Sequence, residues 1–217
     1  MPGPAPPPDR LLCAGRGGWR VSADAATRAA SRAAFARDRL LWLPGFFDEG
    51  LLGVVRRRLT AERFRERVVR GLRAQTAELS LEDDVTLGLL HFLLNDPDVL
   101  SLVREVSAVP AIRRFVGGVY RLMPGPTHAC AWHDDVDGNR LVALTLNLGE
   151  EVFEGGELEV RRKGEPRLLA RMANTGPGDA VLFPLEPALE HRIAPMAGRV
   201  PKTALAGWFV RDPGARG

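Results

Sequence analysis

From Ile112 to the C-terminus the chain is a succession of short apolar segments separated by turn residues, and few architectures accept that pattern. The segments fall near 115–122, 141–149, 157–163, 167–172, 180–184, 190–194 and 203–210. Pro124-Gly125-Pro126, Asp137-Gly138-Asn139, Gly155-Gly156, Gly176-Pro177-Gly178-Asp179 and the stretch from Pro195 to Pro201 punctuate them. Runs this short read as strands, and about seven at this spacing predict a sandwich or barrel.

The first half reads differently. Ala25 to Arg37 is Ala-rich and predicts a helix. Leu40 to Leu43, stopped by Pro44-Gly45, predicts a short strand. Asp48 is placed to cap a helix running from about Glu49 to Leu59. Further helices are expected over about 61–79, 85–94 and 98–106. Residues 1–18, rich in Pro, Gly and Arg, read as a flexible arm, leaving 19–217 as one domain. Helices first and strands second give α+β order, with a helical part over about 25–110 covering one face of a strand-built part over about 112–210.

Strand alternation assigns the faces. In the run from Leu141 to Gly149, Val142, Leu144, Leu146 and Leu148 share one side, fit to pack under helices. Leu141, Ala143, Thr145 and Asn147 share the other, smaller and more polar. In the last segment Lys202, Ala204, Ala206 and Trp208 fall together, opposite Thr203, Leu205, Gly207 and Phe209. The smaller faces suit the lining of a cavity.

Composition narrows the function classes. A net charge of +3 on 217 residues is a weak field. The densest basic stretch, Arg56-Arg57-Arg58 through Arg73, is interrupted by Glu62 and Glu66 and reads as a solvated helix face, which argues against a nucleic-acid binder. No apolar run approaches the ~20 residues of a membrane span. The N-terminus lacks the pattern of a secretory signal, and Cys13 and Cys130 make no disulfide framework, so a reducing cytoplasm is expected. Only Lys163 and Lys202 are lysines among 30 basic residues, and Tyr120 is the single tyrosine.

Of the four histidines, His91 sits in an apolar helical run and reads as structural, whereas His128 is ambiguous. His133-Asp134-Asp135 is different. In extended chain His133 and Asp135 point to one side while Asp134 points away. With His191 from a later strand they make a 2-His-1-carboxylate set, which suits non-haem Fe(II). On its own the triplet also fits a surface turn.

The ordered series narrows the choice: Tyr120, His133-x-Asp135, the apolar run to Asn147, Gly155-Gly156-Glu157-Leu158, Gly178-Asp179-Ala180-Val181-Leu182-Phe183, His191, Lys202 and Trp208. Over roughly 115–210 the chain resembles the 2-oxoglutarate- and Fe(II)-dependent dioxygenases, in the branch similar to prolyl 4-hydroxylases. The resemblance implies a double-stranded β-helix, or jelly-roll, core with N-terminal covering helices. It implies that His133, Asp135 and His191 hold the iron and that Lys202 binds the distal carboxylate of 2-oxoglutarate. Tyr120, Asn147 and Thr145 would line that pocket and Trp208 would wall it. Lys202 lies eleven residues after His191, slightly far for this branch, so Arg199, eight after it, is a rival anchor.

The activity so implied is hydroxylation of an unactivated C–H bond, with O2 consumed, succinate and CO2 released, and ascorbate as a candidate reductant. The implied substrate is an amino-acid side chain, free or in a peptide or protein. Two alternatives share some of these residues: an oxidative nucleic-acid demethylase and a non-catalytic, cupin-like metal-binding module. The second has no use for Lys202.

Overall fold

The computed structural model describes residues 11–22, 24–70, 75–125, 128, 130–173 and 176–212. A hairpin of β1 (Leu12–Gly15) and β2 (Gly18–Val21) opens the fold. Helix α1 (Ala25–Asp38), strand β3 (Leu41–Leu43) and helix α2 (Glu49–Arg56) follow. Then come β4 (Phe64–Arg70), β5 (Gln75–Leu81), α3 (Asp84–Leu94) and α4 (Pro97–Ser107). The rest is strand: β6 (Arg114–Leu122), β7 (Cys130–His133), β8 (Arg140–Asn147), β9 (Glu154–Gly155), β10 (Leu158–Arg162), β11 (Leu168–Met172), β12 (Ala180–Pro184), β13 (Leu189–Ile193), β14 (Met196–Ala197) and β15 (Lys202–Val210).

Two facing sheets form the jelly roll. The major sheet has the order β3-β12-β8-β15-β6-β5-β4 and the minor sheet β11-β10-β13-β7. Alternation decides what each face meets. Val142, Leu144, Leu146, Leu205 and Phe209 belong to a core shared with Leu90, Leu94 and Val103 of the helices. Ala143 on the opposite face packs with Leu158, Val160 and Leu189 of the minor sheet. The aliphatic face of β8 therefore lies under the helices, as its pattern predicts, and the smaller face looks into the barrel.

Asp24 caps α1 by accepting from the amides of Ala26 and Thr27, and Asp48 caps α2 by accepting from Leu51. The Gly176-Pro177-Gly178-Asp179 turn joins the two halves. Asp179 accepts from Trp42 Nε1 at 3.1 Å and from the Gly45 amide at 2.7 Å. A Cβ on Gly178, at φ +79°, would lie 2.6 Å from the Phe47 carbonyl oxygen, so the close approach requires glycine.

Three expectations need correction. The region 61–79 is no helix: after a single 3-10 turn at Ala61–Arg63 it forms the β4–β5 hairpin, extending the major sheet through Ser80 opposite Tyr120. The charged residues hide a period of two. Phe64 and Leu81 pair and enter the core on one face, while Arg65 and Arg67 fall on the other. The helix expected to reach Leu59 ends at Arg56. Residues 11–18 of the expected arm are instead ordered, because Leu11, Leu12, Cys13 and Ala14 are buried and β1 pairs with β2; residues 1–10 lie outside the described residues.

Candidate metal centre and cosubstrate pocket

His133 ends β7 and His191 lies mid-way along β13, and these two strands pair with the histidines directly opposite each other. Their rings stand 4.2 Å apart between centroids. Asp135 follows β7 with φ +53°, a left-handed conformation that turns its carboxylate back toward the histidines. Asp135 Oδ2 lies 3.6 Å from His133 Nε2 and 3.6 Å from His191 Nε2. One ligand atom from each residue falls within 4.8 Å of the other two.

The donor set fits a divalent transition metal. His133 Nδ1 lies 2.7 Å from the Ala131 carbonyl oxygen, which fixes the proton on Nδ1 and leaves the Nε2 lone pair facing inward. Burial acts against charge on His133, but the Asp135 carboxylate at 3.6 Å and Cys130 beside the ring outweigh it and raise the pKa to about 11. Burial would raise Asp135, yet the two imidazoles 3.6 Å away hold it well below the usual carboxylate range. Burial depresses His191. Without a metal, His133 thus carries a second proton, on Nε2 facing Asp135, and a metal ion would displace it.

Two groups hold Asp135 from behind. Trp208 Nε1 donates to Oδ2 at 2.8 Å, and Arg140 Nη1 reaches Oδ1 at 3.2 Å while its guanidinium lies 3.6 Å over the Trp208 ring. No motif in the sequence singles out Arg140; its one signal is a lone cation opening the strand after Asp137-Gly138-Asn139. Asp134 points away as expected and pairs with Lys163, which accounts for one of the two lysines.

Lys202 is the other. It is 3% exposed, donates to the Gly156 carbonyl oxygen at 2.6 Å, and lies 5.3 Å from the centre of the Phe153 ring. Burial lowers its pKa to about 8. A Cβ on Gly156, at φ +63°, would meet Lys202 Cδ at 3.3 Å and Met196 Sδ at 2.5 Å, so this glycine makes room for the lysine. Only one of the three ammonium donors has a protein acceptor among the described residues. Arg199, the rival anchor, is exposed in the loop before β15.

The remaining expected residues share the inward face of the major sheet. Ala204 pairs with both Tyr120 and Asn147, and Ala206 with Thr145 and Gly118, so small residues floor the barrel. The Asn147 amide donates to Gly176 and accepts from the Gly149 amide, bracing the turns beside it. Tyr120 Oη accepts from Arg67 on the β4–β5 hairpin at 3.3 Å. Outside the cluster, His91 Nε2 lies 2.8 Å from the Gly117 carbonyl oxygen, and His128 Nδ1 accepts from the Met123 amide at 3.2 Å. No helix among the described residues is long and apolar enough to cross a membrane.

Comparison with known proteins agrees with this geometry. A family profile described as "2OG-Fe(II) oxygenase superfamily" matches residues 118–210. No curated protein sequence matches the chain. Among solved structures, a 2OG-Fe(II) oxygenase family oxidoreductase from Burkholderia pseudomallei superposes with a TM-score of 0.65 at 17% identity, covering 90% of this chain and 95% of the other. A Trichoplax adhaerens prolyl hydroxylase, in complex with a hypoxia inducible factor peptide fragment, gives 0.61 at 14% identity, covering 86% and 90%. The alpha ketoglutarate dependent epimerase SnoN from nogalamycin biosynthesis gives 0.60 at 15% identity, covering 85% and 80%. At these identities the structures establish a shared fold. The profile spans the strands that carry His133, His191 and Lys202, and over those residues the chain is similar to the 2OG-Fe(II) oxygenase superfamily.

Proposed function

We propose that the chain hydroxylates an unactivated C–H bond of an amino-acid side chain, free or within a peptide or protein, using 2-oxoglutarate and O2 and releasing succinate and CO2. The observation that carries this reading is one pairing: a two-histidine, one-carboxylate cluster shares the barrel with a buried, under-coordinated Lys202. Cys130 links the two, lying 3.7 Å from His133 Nδ1 and close enough to raise the Lys202 pKa against burial. A buried ammonium calls for an anion.

In this reading His133, Asp135 and His191 hold Fe(II). When bound, the ion supplies oxygen activation coupled to decarboxylation of the keto acid. Lys202, rather than the exposed Arg199, takes the distal carboxylate of 2-oxoglutarate. Gly118, Ala204 and Ala206 leave room for the chain between the two carboxylates. Tyr120, whose hydroxyl accepts from Arg67, keeps its proton to donate to the cosubstrate, and Thr145 and Asn147 line the same side. Trp208 and Arg140 orient Asp135. The thiols of Cys13 and Cys130, which form no disulfide among the described residues, suit a reducing cytoplasm.

The fold neighbour with a bound peptide favours an amino-acid or peptide substrate. The epimerase among the neighbours supports a second reading, in which hydrogen is removed and returned without a new hydroxyl. Anaerobic titration of the Fe(II)-loaded protein with 2-oxoglutarate tests the site. A visible charge-transfer band that is lost in His133→Ala and needs far more ligand in Lys202→Ala is the expected result. No band with iron bound would reject an oxygenase. Incorporation of 18O from labelled O2 into product then separates hydroxylation from epimerisation.

A further inference from the structure

The β4–β5 hairpin carries a pair of opposite charges on the face of the major sheet that bears Tyr120. Arg67 and Glu78 are direct cross-strand partners, so their side chains share a face of the sheet, and the adjacent pair on that face ends in Tyr120 through Ser80. Glu78 is 16% exposed at its side chain, and its pKa is raised by burial, with Arg67 and His133 drawing it back down. The carboxylate thus lies within electrostatic reach of a candidate metal ligand.

Its partnering is poor for so buried a charge. Arg67 Nη1 stands 3.9 Å from Glu78 Oε1, beyond hydrogen-bond distance, and Glu78 has no hydrogen bond among the described residues. Arg67 is half exposed and uses one N–H on Tyr120 at 3.3 Å, which leaves most of its donors unused. A desolvated carboxylate without donors is costly unless a cation completes it. Beside it stands a guanidinium suited to a planar carboxylate.

We propose that Glu78 and Arg67 recognise the charged head of a free α-amino acid, Glu78 taking the ammonium and Arg67 the carboxylate. The inference rests on the oxygenase reading and narrows it. A residue inside a peptide carries neither charge and would leave Glu78 with only the long contact to Arg67. The two groups of the head are bonded to one carbon, which matches a receptor pair only 3.9 Å apart. Bound this way, the head is held on the hairpin side and the side chain projects toward His133.

Equilibrium dialysis of the protein, loaded with Zn(II) and 2-oxoglutarate, against each of the common L-amino acids tests this without turnover. At least one free amino acid should bind, and its N-acetyl and carboxamide derivatives should each bind at least tenfold more weakly. Glu78→Gln should weaken the free amino acid at least tenfold and leave the N-acetyl derivative unchanged. Arg67→Gln should do the converse, affecting free acids but sparing the carboxamide. The 2-oxoglutarate titration of Glu78→Gln should stay within twofold of wild type, and both variants should keep the wild-type thermal unfolding midpoint, which shows an intact fold. Equal binding of free and N-acetylated forms overturns the proposal, as does binding confined to capped peptides or absent throughout. Amino-acid binding in a protein that gives no charge-transfer band would instead uphold the hairpin pair and defeat the oxygenase reading.

Discussion

The indole Nε1 of Trp208 donates to Oδ2 of Asp135 over 2.8 Å, so the closing strand of the barrel holds a residue of the loop after β7. Asp135 occupies a backbone region that costs non-glycine residues on the order of 1–3 kcal/mol. The bond from Trp208 and the ion pair with Arg140 fix the carboxylate in that conformation before any metal arrives. Arg140 also stacks on the same indole, so the three side chains form one unit.

Trp208→Phe keeps an aromatic surface for Arg140 but removes the N–H. Metal affinity should fall about tenfold or more, as is usual when a partner of a ligating residue is lost. Titration with Co(II), followed by its visible spectrum, measures this. An unchanged affinity would mean that Arg140 alone positions Asp135.

Lys202→Met should abolish 2-oxoglutarate binding and yet stabilise the ligand-free protein. The lysine is charged below its folded pKa of about 8, where the cost of burying the ammonium is fully present. Between there and the ordinary lysine pKa the folded chain releases its proton first, so stability rises with pH. Removing the charge should therefore add about 2–3 kcal/mol near neutrality, less any packing loss. Urea unfolding of the two proteins at pH 7 and pH 10 decides it: the gap should be narrower at pH 10.

The same depressed pKa predicts a pH limit on cosubstrate binding. A carboxylate needs the protonated ammonium, and above pH 8 the free protein must take up a proton to supply it. The dissociation constant of 2-oxoglutarate should rise toward tenfold per pH unit above pH 8 and flatten below it. Titrations of the charge-transfer band from pH 7 to pH 9.5 give the slope. A flat profile would argue that Lys202 does not meet the carboxylate.

Gly207→Ala should destabilise the fold without touching the metal site. A Cβ at Gly207 would lie 2.3 Å from the Val116 carbonyl oxygen and 2.6 Å from Gly117 Cα, both backbone atoms of the paired strand. The strands must part, at about 2–3 kcal/mol or more. Thermal unfolding should show the drop, while metal binding by the residual folded protein stays at the wild-type level.

The barrel is largely legible in the sequence because each of its longer strands carries its own alternation and its own stop. Leu141 to Asn147 declares two faces, and the structure sends Leu144 to the helices and Ala143 to the minor sheet. The β4–β5 hairpin reads as helix because its exposed positions hold Arg and Glu, good helix formers, and its inward positions are nearly as polar. The short strand β7 escapes a sequence reading because its four residues are all half-buried and show no alternation. The clustering of His133, Asp135 and His191 is legible from the order of motifs that carries the family resemblance, not from the triplet alone. Arg140 and Glu78 are not, because their places depend on how strands far apart in sequence align: Arg140 against Trp208, and Glu78 against a wall opposite β7.

The apolar face of β8 also limits how this chain can be divided. Residues 118–210 are the portion that the family profile covers, and they invite treatment as a portable module. Yet Val142, Leu144, Leu146 and Leu148 are each at most 1% exposed, in a core shared with Leu90, Leu94, Val99 and Val103. Excised at residue 112, the barrel would present an oily plate to water and associate through it. Any graft of this catalytic half onto another scaffold must therefore carry its helices along, or rebuild that plate in polar residues.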